Sequence, residues 1–243
     1  MSETAILIFN DIEALSQAAA QRFVQIAQEA AAARGRFVAA LSGGGTPQQM
    51  FHFLTQPPSI LKVPWAQTHI FWGDERLVPP DDPGSNYEQA MRLLLNHVPI
   101  PPANIHRVKG ELSAETAVAD YTSQLKTSAT GQRAWPRFDL ALMGLGSDGH
   151  TASLFPGSPT VQAQPVISAT AVYEDRPAQR ISLTPLVFND ARHVIFLVTG
   201  ANKAETVTAV LNGSYQPEQL PAQRIQPDKG DVTWFLDKTA ALF

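Results

Sequence analysis

Cysteine is absent from the 243 residues, which excludes disulfides, iron–sulfur clusters and thiolate zinc sites and agrees with a reducing compartment. Charge is scarce as well. Only 16% of the residues are Asp, Glu, Lys or Arg, with 18 cations against 22 anions and a net of −4. A protein that grips nucleic acid through its phosphates needs a basic excess on some face, so the expected partner is a small molecule and not a nucleic acid. No apolar run approaches the ~18 residues of a membrane span, and the opening MSETAILIFNDIEAL carries acids where a secretion signal would be basic. No membrane partner is expected, and a cytoplasmic location is. Repeats and low-complexity tracts are missing too. What the chain does have is a 44% share of hydrophobic residues, enough to bury a sizeable core. With no linker that splits it, a single domain over 1–243 is the economical expectation.

Apolar segments alternate with helix signals. Residues 5–9 read as a strand, after which Asn10 or Asp11 can cap an Ala-rich helix that stops at Gly35. A second strand over 36–41 is broken by Ser42-Gly43-Gly44-Gly45-Thr46, and Pro47 behind it suits a first helical turn. A third strand, 68–72, runs on through Gly73 to end in Asp74-Glu75-Arg76, followed by a loop rich in Pro, Asp and Gly. Ser85 or Asn86 is placed to cap a helix to about Leu95, and Ser113 another to about Lys126. Further strands are predicted over 138–143, 166–171, 180–183, 193–199 and 232–236, with a helix over 202–211. Wholly apolar strands alternating with helices predict an α/β fold in three layers, a mainly parallel twisted sheet with helices on both faces. Ligands of such sheets sit at the strand C-termini.

Three of these strand ends carry chemistry. Three successive glycines between a strand and a helix let backbone N–H groups approach an anion, and the hydroxyls of Ser42 and Thr46 add donors, so Ser42, Gly43, Gly44, Gly45 and Thr46 are candidates for holding a phosphate. No Lys-Ser/Thr follows at the spacing of a nucleotide-triphosphate loop. Gly144-Leu-Gly146-Ser-Asp-Gly149 has the spacing of a dinucleotide fingerprint, but Pro156 and Pro159 leave no room for the helix that should follow. The same segment offers Asp148 and His150, a titratable pair suited to taking a proton from water. Asp74 and Arg76 should open onto the same edge, while Arg180 and Lys203 each read as a solvated cation when taken alone. The other histidines show no metal-ligand spacing, so no metal is expected.

Six segments, SGGGTP (42–47), WGDERLVP (72–79), SNY (85–87), MGLGSDGHTASLFPG (143–157), RISLTP (180–185) and VTGANKAE (198–205), together resemble the glucosamine-6-phosphate isomerase/6-phosphogluconolactonase family across nearly the whole chain. The lactonase branch of that resemblance implies the family's deaminase-like α/β fold and hydrolysis of 6-phospho-D-glucono-1,5-lactone to 6-phosphogluconate, the second step of the oxidative pentose phosphate pathway, without a cofactor. It makes His150 the general base, with Asp148 in the same motif, and sets Asp74 and Arg76 near the lactone. The phosphate falls to Ser42, Gly43, Gly44, Gly45 and Thr46, with Arg180 and Lys203 supplying charge. A monomer or small homo-oligomer is expected. The deaminase branch needs a carboxylate shortly after the histidine, where this chain reads Leu154-Phe155-Pro156. A sugar-phosphate effector domain of a transcription regulator, the alternative from another class, would carry a DNA-binding module before the first strand.

Overall fold

The computed structural model describes residues 4–158, 163–171 and 178–241. Strand β1 (Thr4–Phe9) leads into α1 (Ile12–Arg34). Asp11 Oδ1 accepts the Ala14 N–H at 2.8 Å, filling one of the vacancies every helix start presents. Gly35 stops the helix in the left-handed conformation (φ +73°). The chain continues through β2 (Phe37–Leu41), α2 (Gly45–Leu54), α3 (Ser59–Lys62), β3 (Thr68–Trp72), β4 (Asp74–Arg76), α4 (Asn86–Leu93) and β5 (Ile105–His106). Next come α5 (Ala114–Ser128), β6 (Leu140–Met143), β7 (Val166–Thr170), β8 (Gln179–Leu183) and α6 (Pro185–Phe188). The last elements are β9 (His193–Val198), α7 (Ala204–Asn212) and β10 (Asp231–Asp237).

Seven strands build one parallel sheet in the order β1-β10-β9-β6-β2-β3-β5. Its inner strands are apolar on both sides because both sides are covered. Phe37, Ala39 and Leu41 of β2 face a core built with α1, α2 and α4, whereas Val38 and Ala40 face a second core with α5, α6 and α7. From β2 the chain winds outward through β3 and β5, and from β6 it winds the other way through β9 and β10. β2 and β6 are neighbours, with Ala39 opposite Leu140, so the winding reverses between them. Loops leaving the two strands at such a point diverge and open a crevice. The two glycine-rich loops, 42–46 and 144–150, follow these two strands.

The expected three-layer α/β architecture is present, with one addition. Residues 74–76, read from sequence as the end of the third strand opening onto the same edge as the glycine loop, instead form β4. It pairs antiparallel with β8 in a three-stranded sheet ordered β4-β8-β7. Gly73 makes the switch: its N–H donates to Leu41 O and its carbonyl accepts the Leu183 N–H, both at 2.8 Å. Asp74 and Glu75 are consequently 6% and 2% exposed, far from solvated. The short elements α3, β5 and α6 were not predicted either, each having too few residues for a periodic signal.

Candidate active site

A cleft of about 250 Å³ lies over the C-terminal ends of β2, β6 and β9, and it gathers ten of the eleven residues singled out from sequence: Ser42, Gly43, Gly44, Gly45, Thr46, Asp74, Arg76, His150, Arg180 and Lys203. On one side is the start of α2. Gly44 occupies its N-cap with φ +101° and no side chain caps the helix, so its first N–H groups are left for a ligand, an arrangement suited to an anion. Thr46 Oγ1 lies 3.0 Å from Thr199 Oγ1, tying this helix start to the end of β9, just before Lys203.

On the opposite side is the loop after β6. Gly146 N–H donates to His150 O at 2.8 Å, and Thr151 Oγ1 donates to Gly144 O at 2.8 Å. The loop is thereby closed on itself, and His150 enters the cleft lining. Asp148 is the one predicted residue outside that lining; it stands behind the ring, with Oδ1 2.6 Å from His150 Nδ1 and 3.1 Å from the His150 N–H. A carboxylate can only accept, so in the neutral ring Nδ1 carries the proton and the basic lone pair is on Nε2. Burial acts to raise the Asp148 carboxyl, but the hydrogen bonds and charge of His150 outweigh it and hold it at about 2. The carboxylate therefore stays ionised throughout the range in which a histidine titrates. Gly146 is required by this pair, since a Cβ there would collide with Nδ1 of His150 and Oδ1 of Asp148.

Residues 10–234 match the family described as glucosamine-6-phosphate isomerases/6-phosphogluconolactonase. The chain belongs to that family. Among its relatives, a 6-phosphogluconolactonase of Mycobacterium bovis is 37% identical over 246 residues, covering 98% of this chain and 97% of that one. The solved 6-phosphogluconolactonase from Trypanosoma brucei superposes with a TM-score of 0.87 at 30% identity, covering 99% of this chain and 98% of that one. A monomeric glucosamine-6-phosphate deaminase has the same fold, with a TM-score of 0.82 over 98% of each chain at 21% identity. Fold alone thus does not separate the two chemistries of the family, and the site residues must do so.

The third wall of this family member's cleft is the β4–β8 ribbon. Asp74 Oδ2 accepts from Ser153 Oγ at 2.6 Å and lies 3.9 Å from an Arg180 nitrogen. Arg76, opposite Arg180 in the ribbon, donates to Gly84 O at 2.6 Å. Arg180 is thus seated beside Asp74, and its side chain is only 6% exposed. Glu75 faces away from the cleft and supports it. Its carboxylate accepts the N–H groups of Arg76, Asn86 and Tyr87 and the Ser85 hydroxyl, clamping the start of α4. Burial pushes its carboxyl up, those N–H donors pull it back and the Asp74 charge adds to the rise, leaving it raised overall. Sequence reasoning missed Glu75 and also Asn86, which lines the cleft. The only signal for Asn86 was its place in the SNY segment, where it was read as a candidate cap. Among the described residues no group of three or more Asp, Glu or His is placed to hold a metal ion, and no helix is long and apolar enough to cross a membrane.

Proposed function

We propose that the chain hydrolyses 6-phospho-D-glucono-1,5-lactone, with water activated by His150. The observation that carries this reading is a base and an anion seat on opposite sides of one cleft: His150 oriented by Asp148, and the uncapped start of α2 with Lys203 nearby. A lactone is an ester already prone to hydrolysis. The enzyme needs to anchor it by its phosphate, set a water against the carbonyl carbon, take the water's proton and stabilise the oxyanion that forms. Nε2 of His150 takes the proton, and Asp148 holds the ring in the right tautomer and balances the imidazolium. The Gly146 N–H already serves His150 O, which favours the Arg76 guanidinium over that N–H as a donor to the oxyanion. Ring opening completes the step: the C1–O5 bond breaks, the imidazolium proton goes to O5, and the carboxylic acid formed at C1 releases its proton to solvent to leave 6-phosphogluconate. No residue here replaces the acid that the deaminase branch needs after its histidine, because Leu154 and Phe155 are both buried apolar side chains.

Anchoring by phosphate makes a measurable claim. Lys203→Ala should weaken transition-state binding of the phosphorylated lactone by about 1.5–3 kcal/mol, the worth of a charged hydrogen bond, or roughly ten- to a hundredfold in kcat/KM. Hydrolysis of unphosphorylated gluconolactone, which offers the ammonium nothing to hold, should change little. Arg180→Ala should show at least the same loss, but it also strips Asp74 of a buried cationic neighbour, so its melting temperature is read alongside. Equal losses on both substrates for Lys203→Ala would move that residue from the phosphate to the lactone or the fold, and no loss on either would make it a surface cation.

A further inference from the structure

The walls of the cleft are rich in donors, namely helix N–H groups, Arg76, Arg180 and Lys203, whereas a sugar lactone also brings hydroxyl groups that need acceptors. Asn86 supplies one. It is the first residue of α4 and only 3% exposed, and its backbone N–H is fixed by Glu75 at 2.8 Å. Its Nδ2 donates to the Asp74 carbonyl at 2.9 Å, which sets the plane and sense of the carboxamide. The other end of the group, Oδ1, is buried with no hydrogen-bond partner. Buried side-chain acceptors are normally satisfied, and an exception on the wall of a binding cleft points to a partner that arrives with the ligand. The backbone makes room for it: a Cβ at Gly43 would collide with Oδ1 of Asn86. The glycine in the anion loop therefore also admits this carboxamide to the cleft.

From this geometry we propose that Asn86 selects the substrate, its Oδ1 accepting a hydrogen bond from one ring hydroxyl of the bound sugar-phosphate lactone. The inference rests on the lactonase reading and adds the class of ring the site accepts, one hydroxylated at the carbon that faces Asn86. A site that holds a hydroxyl with a dedicated buried acceptor rejects the analogue lacking it, because the acceptor is then stranded. Asp74 is a second acceptor in the cleft, so the experiment must separate the two.

The experiment compares kcat/KM for the parent 6-phosphoglucono-1,5-lactone with its 2-, 3- and 4-deoxy analogues, in the wild-type enzyme and in Asn86→Ala, with melting curves for both. One deoxy analogue is expected to lose about tenfold or more with the wild type, and Asn86→Ala should lose a similar factor on the parent while treating that analogue and the parent within about threefold of each other. All three analogues within threefold of the parent in the wild type would overturn the proposal, and that arm stands even if the variant fails to fold. A deoxy penalty that persists undiminished in a folded Asn86→Ala would overturn it as well, assigning the hydroxyl to another acceptor. Absence of wild-type turnover on the parent lactone is a different result, and it would remove the lactonase reading on which the proposal stands.

Discussion

Substitution of His150 by alanine is expected to lower kcat/KM on the phosphorylated lactone by roughly 10²–10⁴-fold, the usual contribution of a positioned general base, while leaving the melting temperature nearly unchanged. The ring is partly exposed at the cleft wall and hydrogen-bonds within its own loop to Asp148, so its removal should leave the sheet and both cores in place. The loss should fall on kcat more than on KM, since the proton moves only in the transition state. Spontaneous hydrolysis of the lactone must be subtracted from each rate. Near-wild-type turnover in the variant after that subtraction would contradict the role.

Gly146→Ala is expected to cost about 10²-fold in kcat/KM, although it adds a single methyl group to a residue that bears no chemistry itself. The methyl would occupy the place of the His150–Asp148 contact, and displacing a catalytic group by about 1 Å is worth a loss of that size. The proposed phosphate seat is across the cleft, so KM should change less than kcat. A product-inhibition constant for 6-phosphogluconate that stays near the wild-type value would show that the anion seat is intact. Wild-type kcat in a folded Gly146→Ala protein would mean that the pair tolerates displacement and that its geometry does not set the rate.

Much of this molecule is legible in the chain because its signals are local. Residue type alone offers Asn10 or Asp11, Ser85 or Asn86, and Ser113 as caps, and it is Asp11, Ser85 and Ser113 whose side chains accept the N–H groups of the helix starts. The inner strands of the large sheet are legible as apolar runs because that sheet is covered on both faces there, and the two glycine loops mark the strand ends that meet at the reversal of winding. What escaped depends on residues far apart in sequence. Nothing within Asp74-Glu75-Arg76 says that Ile181 and Ser182 will lie opposite, so residues read as the end of the third strand form a separate ribbon in which Asp74 and Glu75 are buried. Asn86 was read as an alternative to Ser85 for one capping task. Ser85 performs that task, with Oγ accepting the Glu88 N–H, and Asn86 is released to face inward. Gly43 reads from sequence as letting the backbone approach an anion and Gly146 as part of a glycine spacing, whereas each is also demanded by a side chain, Asn86 in one case and His150 in the other. Such steric reasons exist only once the loops are folded against their neighbours.

The central claim is that one cleft both anchors a phosphate and opens a lactone, and a single comparison tests it most directly. The wild-type enzyme is given 6-phosphoglucono-1,5-lactone and unphosphorylated glucono-1,5-lactone side by side at one controlled pH, with spontaneous hydrolysis of each subtracted. The proposed seat, with two charged contacts and an uncapped helix start directed at the phosphate, predicts a kcat/KM at least about a hundredfold higher for the phosphorylated lactone. Equal rates for the two lactones, or a phosphorylated lactone that disappears no faster than in buffer, would contradict the account.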